Sequence, residues 1–526
     1  MRRSDTLAAQ SMIDRAFEEV QLDGEPAVAT IARLPRFFAA AVLFALAGCG
    51  EPKAVQDPAA AVAPSAPPKV TGVLLVVCDT LRADHLDPYG GDVGTPNTTR
   101  LAALGTRYES HRTQGSWTLP SMLSLMSGRW VTKDSEGLPV RQPTLAELLS
   151  ESGFATAAFV ANAVCSPERG FARGFDSYQA FAAEAPASDL AQAFTHWRAA
   201  SSSPDTPWFA WVHMMDPHAP YAPAKRHLQE QPPAPRPAQL EVWRSVMRRL
   251  DEHQSEVLGK KFDASVAVIV DERARYRGEV RAFDEGLGVL LDALEARGEL
   301  DSTLIVLASD HGEMLWERPL YPGELDAIVA SDRRETARVQ GLFATGHNGS
   351  WFHPQVWQTP LIVAGPGVPR GAVGRGLSAN VDILPTVLAA TNVDTPIDIE
   401  GRSLLGVLDV TREYVFAKGQ EAQAAADGLG NYWVDLPRAK SAVVDERRRS
   451  GLLFTYAPRE PAASGVEEST PAIARRLHGA IDAWRAAATF EPNDDVDPRA
   501  RQALIDLGYL EFDAGEEDPD ASDGEE

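Results

Sequence analysis

The chain has 526 residues, 44% hydrophobic and 24% charged, a composition that excludes a collagenous, wholly disordered or polytopic membrane protein and leaves room for one large core or several domains. A net charge of −24 gives no basic footprint for nucleic acid. Three cysteines, Cys49, Cys78 and Cys165, are too few for a disulfide framework, so stability has to come from a core.

In chain order, Arg33 and Arg36 precede the apolar run FFAAAVLFALAG (Phe37–Gly48), which has the length of a signal-peptide core and falls well short of the ~20 residues that span a bilayer. It closes on Leu46-Ala47-Gly48-Cys49, which resembles the lipobox of bacterial lipoproteins, where small residues fit the peptidase and the cysteine thiol accepts diacylglycerol. That resemblance implies an N-terminal extension and signal peptide over 1–48, a membrane anchor through lipidated Cys49, and export as an outer-membrane lipoprotein facing the periplasm or the cell surface. The leader before Arg33 is long for such a signal, which points to a start later than Met1, with Met12 the candidate. Residues 49–69 are Ala/Pro-rich and read as an extended tether.

The folded body is expected over 70–410. The runs Val73–Val77, Ala155–Val160, Trp208–Val212, Leu304–Ala308 and Pro360–Val363 are almost continuously apolar, as buried parallel strands are. Between them Leu145–Ser152 and Ala274–Arg297 carry apolar residues at helical spacing, among them Val280, Phe283, Leu287 and Leu290. The alternation predicts a doubly wound α/β sheet. Beyond about Val410 the pattern thins to strands at Glu413–Ala417 and Leu452–Tyr456 and a helix at Pro471–Ala488, a smaller subdomain over 411–510. Residues 511–526 hold nine acids and no base and read as a disordered tail.

Reactive groups in open parallel sheets gather at the carboxyl ends of the strands. Here Asp79 follows the first strand (VLLVVCDTLRADHL), His213, Asp216 and His218 fall at the end of the Trp208 strand (FAWVHMMDPHAPY), and Asp310 and His311 follow the Leu304 strand (LIVLASDHGE). Two carboxylates and an imidazole suit one divalent cation, and Ca²⁺, Mg²⁺, Mn²⁺ and Zn²⁺ all accept such donors. Singly, such an Asp is a helix N-cap and such a His a satisfied core residue; their convergence at strand ends favours function. The segment SWTLPSMLSLMSG opens a helix at a hydroxyl and a proline. That is a good helix start, and its free N–H groups would also favour an anionic ester beside Thr118 as nucleophile.

These segments resemble the sulfatase branch of the alkaline phosphatase superfamily. The match is collinear from about Val70 to Leu408 through LLVVCDTLRADHL, TPNTTRLAALGTRY, SWTLPSMLSLMSG, GFATAAFVAN, GFARGFDSY, WVHMMDPHAPY, ALEARGELDSTLIVLASDHGE, PLIVAGPG, VDILPTVL and IEGRSLL, with ALIDLGYL near the end similar to the closing segment of secreted bacterial members. The resemblance implies an enzyme with an alkaline-phosphatase-like, doubly wound, mostly parallel α/β sheet, helices on both faces and a smaller C-terminal subdomain. It implies Asp79, Asp310 and His311 as ligands of one divalent metal, Thr118 at the nucleophile position, and His218 of DPHAPY against the ester or leaving group. It further implies His347 of GHNG beside the transferred group, and His213 and Asn162 among the substrate-binding residues.

The departures bear on the substrate. Typical sulfatases carry Cys or Ser in C/S-x-P-x-R, oxidised to formylglycine; here the string is Thr118-Leu119-Pro120-Ser121-Met122. Threonine cannot yield that aldehyde, so no formylglycine is expected, and Met122 replaces the anion-binding arginine. Thr80 stands where many sulfatases have a second aspartate. Members with an unmodified threonine include phosphoesterases, phosphonate ester hydrolases and phosphoethanolamine transferases. The expected substrate is therefore an anionic ester of the phosphodiester or phosphonate kind, since losing a cation weakens binding of a doubly charged monoester most. Sulfuric ester hydrolysis, or anion binding without turnover, are the alternatives. Between Glu313 and Gly346 the chain is longer than usual, with a polar helical run over Glu324–Gln340, and reads either as a surface insertion or as a lid.

Overall fold

The protein is seen in a computed structural model that describes residues 69–200, 206–229, 252–315, 345–347, 352–396, 398–419, 422–428, 430–435, 452–455, 471–493 and 496–498. The leader, Cys49, the tether, the helix expected over 324–340, the ALIDLGYL segment and the acidic tail lie outside the described residues. Among the described residues no helix is long and apolar enough to cross a membrane.

The strands are β1 (Gly72–Cys78), β2 (Gly105–Arg112), β3 (Ala155–Val160), β4 (Ser177–Ala180), β5 (Trp208–Met214), β6 (Thr303–Ser309), β7 (Met314–Leu315), β8 (Thr345–Gly346), β9 (Leu361–Ala364), β10 (Ala372–Ala379), β11 (Asp409–Val410), β12 (Tyr414–Lys418), β13 (Gln423–Asp427), β14 (Asn431–Asp435) and β15 (Leu452–Thr455). The helices are α1 (Pro96–Leu104), α2 (Thr118–Ser127), α3 (Leu145–Glu151), α4 (Ala187–Ala200), α5 (Lys225–Gln229), α6 (Glu252–Ala296), α7 (Pro354–Trp357), α8 (Ile383–Thr391) and α9 (Pro471–Ala486). Nine strands form the main sheet in the order β11-β10-β2-β9-β6-β1-β5-β3-β4.

All ladders in this sheet are parallel except the two made by β9. The expectation of a parallel strand at Pro360–Val363 is thus corrected: β9 runs against both β2 and β6. Its continuous apolar run reports burial on both faces, which direction does not alter. Strands β2 and β10 escaped sequence reading because GTRYESHR and AVGRGLSA mix charged, polar and glycine residues with few apolar ones.

Side chains alternate across a strand, so each face of the sheet needs its own cover. On one face Val73, Leu75 and Val77 of β1 pack with Met122, Leu125 and Met126 of α2, Leu145 and Leu149 of α3, and Leu384 and Leu388 of α8. On the other, Leu74, Val76 and Cys78 pack with Leu190 and Phe194 of α4 and with Tyr276, Val280, Phe283, Leu287 and Leu290 of α6. Helix α6 begins well before the expected Ala274; Leu258, Phe262, Val266 and Ile269 continue the helical spacing upstream and went unread.

Strands β12 to β15 form a separate antiparallel sheet. Leu477, Ile481 and Trp484 of α9 pack against it with Val415, Ala424 and Trp433, and Trp484 stacks on Phe416 with ring centroids 5.0 Å apart. Asp382, just before α8, is fully buried; it accepts from Ala379 N at 2.9 Å and Arg402 N at 2.8 Å and is paired with Arg412. Arg412 is itself 5% exposed. Asp382→Ala would strand that guanidinium, and equilibrium denaturation is expected to show a loss of about 3 to 5 kcal/mol, whereas Asp382→Asn, whose carbonyl oxygen can still accept from one of the two N–H groups and from Arg412, loses less. Equal losses in the two variants would contradict this account.

Candidate active site

The carboxyl ends of β1 and β6, neighbours in the sheet, place Asp79 beside Asp310 and His311, and all three side chains are fully buried. Each is held by one end and left open at the other. Asp79 Oδ2 accepts from the Asn162 amide, while Oδ1 has no partner. Asp310 Oδ1 accepts from His311 N at 2.8 Å and Thr80 N at 3.3 Å, while Oδ2 has no partner. His311 Nδ1 donates to the Gly312 carbonyl at 2.9 Å, which fixes the tautomer and turns the Nε2 lone pair inward. Nε2 lies 3.5 Å from both Asp79 Oδ1 and Asp310 Oδ2, and ligand atoms of the three residues fall within 4.8 Å of one another.

Two buried carboxylates facing one another need a cation or a proton between them. Burial, then the Asp310 charge, push the Asp79 carboxyl well above its usual range, and burial raises Asp310 as well. Burial, then His347, pull His311 well below the usual imidazole value, so it is neutral and able to donate a lone pair. Two oxygens, one imidazole nitrogen and matched orphan atoms are the donor set of a divalent cation, and these residues fit one.

Thr118 opens α2. Trp117 precedes it in extended conformation and no side chain caps the helix, so its first-turn N–H groups and positive end are left for an anion. The Thr118 hydroxyl, fully buried, lies 3.4 Å from His311 Nε2 and accepts from Asn162 Nδ2 at 3.3 Å. Ser121, one turn on, and Thr113 both donate to the Asp310 carbonyl, and Asn380 Nδ2 donates to Ser121 Oγ at 3.1 Å. This network anchors the start of α2 to the residue that follows β6.

The structure brings the other expected residues to the same place. Asn162, the N-cap of a short turn after β3, has its amide engaged by Asp79 and Thr118 and its Oδ1 by Val164 N, so it orients those two groups. His213, at the end of β5, is fully buried with both ring nitrogens unpartnered, its ring 5.6 Å from that of Trp211, and burial pulls it down to about 4. His347 follows β8, which pairs with β7, and its ring lies 4.2 Å from that of His311 and 5.1 Å from that of His218. Burial, then His347, lower the His218 value. Cys49 is outside the described residues.

Two features went unread in the sequence. Glu313, fully buried, accepts from Tyr221 OH at 3.2 Å and lies 3.4 Å from His347 Nδ1. Burial acts upward on its carboxyl, but His347 brings it below the usual value. Its place in SDHGE, two residues past His311, was the available signal. Thr80 sits at φ +55°, a region that disfavours β-branched residues, and its buried hydroxyl has no partner. Only a backbone trace could show that.

Comparison with known proteins accords with this geometry. The Sulfatase family profile matches residues 71–393. The N-acetylglucosamine-6-O-sulfatase of Bacteroides thetaiotaomicron is 33% identical over 135 residues, 26% of this chain and about a fifth (20%) of that protein's length. The low-salt glycan biosynthesis sulfotransferase of Haloferax volcanii is 25% identical over 425 residues, 75% of this chain and 82% of that one. The crystal structure of the phosphonate monoester hydrolase of Agrobacterium radiobacter superposes with a TM-score of 0.58 at 19% identity, covering 80% of this chain and 96% of that one, a likeness of fold.

Proposed function

The chain belongs to the sulfatase family, and from that premise we propose that it is a metal-dependent hydrolase of anionic esters, favouring phosphodiesters or phosphonate esters, with unmodified Thr118 as nucleophile. The observation that carries this reading is the convergence of the three open ligand atoms of Asp79, Asp310 and His311 on the Thr118 hydroxyl. Oxidising a threonine carbinol gives a ketone and not an aldehyde, so the hydroxyl acts as it stands. Met122, in place of a cation, supports an ester of lower charge.

A divalent cation at these ligands supplies charge that favours an alkoxide nearby and an anionic ester oxygen. Asn162 and the α2 terminus orient the Thr118 oxygen toward phosphorus. As the new Thr118–O–P bond forms, the Thr118 hydroxyl proton passes to the His218 or His347 imidazole, the bond from phosphorus to the leaving alcohol breaks, and the departing alkoxide takes that proton from the imidazolium. Water then attacks phosphorus, giving one proton to the same imidazole; the Thr118–O–P bond breaks and the imidazolium returns that proton to the Thr118 oxygen.

The test is the turnover of matched aryl sulfate, phosphate monoester, phosphate diester and phosphonate ester by the metal-loaded protein. Diester or phosphonate is expected to give the highest kcat/KM. A second reading, sulfuric ester hydrolysis through the same hydroxyl, is favoured by the sulfatase relative, and sulfate turnover above that of every phosphorus ester would establish it. Transfer to an acceptor alcohol, favoured by the sulfotransferase likeness, would show as turnover only when an alcohol is added. Metal binding with no turnover of any ester would mark an anion-binding protein.

Export and lipidation at Cys49 belong to the same proposal. Labelled fatty acid is expected in the protein and absent from Cys49→Ser; label retained in that variant would refute the anchor.

A further inference from the structure

Asp216 and Glu279 present a chemical puzzle that the reaction above leaves unused. Asp216 begins the loop Asp216–Tyr221 that carries His218, and Glu279, 7% exposed, lies on α6 beneath it. The two side chains are hydrogen-bonded to each other. Every other contact of theirs is to a donor: Asp216 Oδ2 accepts from Ala187 N, which opens α4, at 2.7 Å, and Glu279 Oε1 accepts from Ala222 N at 2.6 Å. Two carboxyl groups cannot bond unless one proton lies between them. The pair therefore ties both ends of the His218 loop to the helical layer, Asp216 at its start and Ala222 just past its end.

We propose that the Asp216–Glu279 carboxyl pair is a latch that holds the Asp216–Tyr221 loop, and with it His218, against the reaction centre, and that it releases when the shared proton is lost to solvent base. Glu279 is thus a positioning residue, acting through His218, and the proposal rests on the function assigned to that histidine above.

The surroundings leave the proton as the main control. From β1 the Cys78 thiol donates to the Asp216 carbonyl at 2.8 Å and is itself held neutral by burial. From α5, His227 lies near Asp216 but is bonded to Glu285 at 2.8 Å, which also takes Arg226. Tyr276, one turn before Glu279, is neutral and bonded to the Thr80 carbonyl. The largest influences on the two acids are burial, each other and backbone N–H groups, with His227 a lesser one on Asp216. Burial first, then the bond and charge of Asp216, raise Glu279 from its ordinary 4.5 to about 8, and burial raises Asp216 as well. A raised carboxyl contributes its stabilisation fully below its unfolded value, loses it progressively as pH rises, and has none left above its folded value. The window here runs from about 4.5 to about 8.

The decisive comparison is among the metal-loaded wild type, Glu279→Gln and Glu279→Ala, by hydrogen exchange of the peptide covering residues 214–222 and by KM and kcat, between pH 5 and 9. Ratios to wild type at each pH cancel the intrinsic exchange rate. Wild-type protection is expected to fall by up to about tenfold per pH unit across that window and then level off. The glutamine amide donates to Asp216 at every pH, so Glu279→Gln should show protection independent of pH and a kcat that no longer falls toward pH 9 as that of wild type does; Glu279→Ala should be poorly protected throughout. A slope in Glu279→Gln equal to that of wild type would overturn the latch. A flat slope with a kcat that still falls as in wild type would overturn its link to His218. Exchange requires no turnover, so an inactive protein would sink the functional reading while leaving the latch decided.

Discussion

Replacing Thr118 with alanine is expected to lower kcat by roughly 10⁴-fold or more, a loss of about 5 kcal/mol or more in transition-state stabilisation, with the metal still bound. The size follows from what is removed: the atom that forms the covalent bond, and not one of several stabilising contacts. Thr118→Ser retains the oxygen and should stay within about tenfold of wild type, since the γ-methyl contributes packing only. Among the neighbours of the hydroxyl are His311 Nε2 and the Asn162 amide. Alanine leaves both without an acceptor or donor but disturbs no ion pair, so a melting temperature near that of wild type should accompany the lost activity. Activity in Thr118→Ala at a tenth of wild type would remove Thr118 from the chemistry.

Asp310→Asn should divide stability from function in opposite directions. The asparagine carbonyl can still accept from His311 N and Thr80 N, so the turn after β6 survives. Its amide would face Asp79 Oδ1, which has no partner, replacing repulsion between two buried acids with a hydrogen bond. Stripped of metal, the variant is therefore expected to melt higher than stripped wild type. Metal affinity should fall at least about a hundredfold, so the stabilisation of about 2.7 kcal/mol that wild type gains from cation at a hundred times its dissociation constant largely vanishes. Hydrolysis should fall with it. Titration calorimetry with Mg²⁺, Mn²⁺, Ca²⁺ and Zn²⁺, paired with melting curves, reads both arms. Unchanged affinity in Asp310→Asn would exclude Asp310 as a ligand, and a lower melting temperature for the stripped variant would mean that Oδ2 is engaged elsewhere.

The centre of the fold was legible because buried central strands leave an unbroken apolar signature. Ala155–Val160 agrees residue for residue with β3, and the runs for β1, β5 and β6 fall one or two residues short of the strands. Strands nearer one edge, β2 and β10, owe their form to pairing with each other, which no local pattern records. At the site, sequence order placed Asp79, Asp310 and His311 after strands, but only the sheet order puts β1 beside β6 and turns adjacency in space into a ligand set. Glu279 lies more than sixty residues from Asp216, and nothing in either segment announces the other; a shared proton between acids is a property of three-dimensional proximity alone.

The reversed direction of β9 has a further effect. Since β6 ends where β9 begins, at one edge of the sheet, the whole connection from Asp310 to Pro360 departs from and returns to the rim that holds Asp79 and Thr118. A parallel β9 would have had to start at the far edge, carrying its connection across a helical layer. A connection anchored twice at one rim can lengthen or change composition without asking any strand to shift register. The ladders of the sheet and the make-up of this connection are thereby set by separate stretches of the chain.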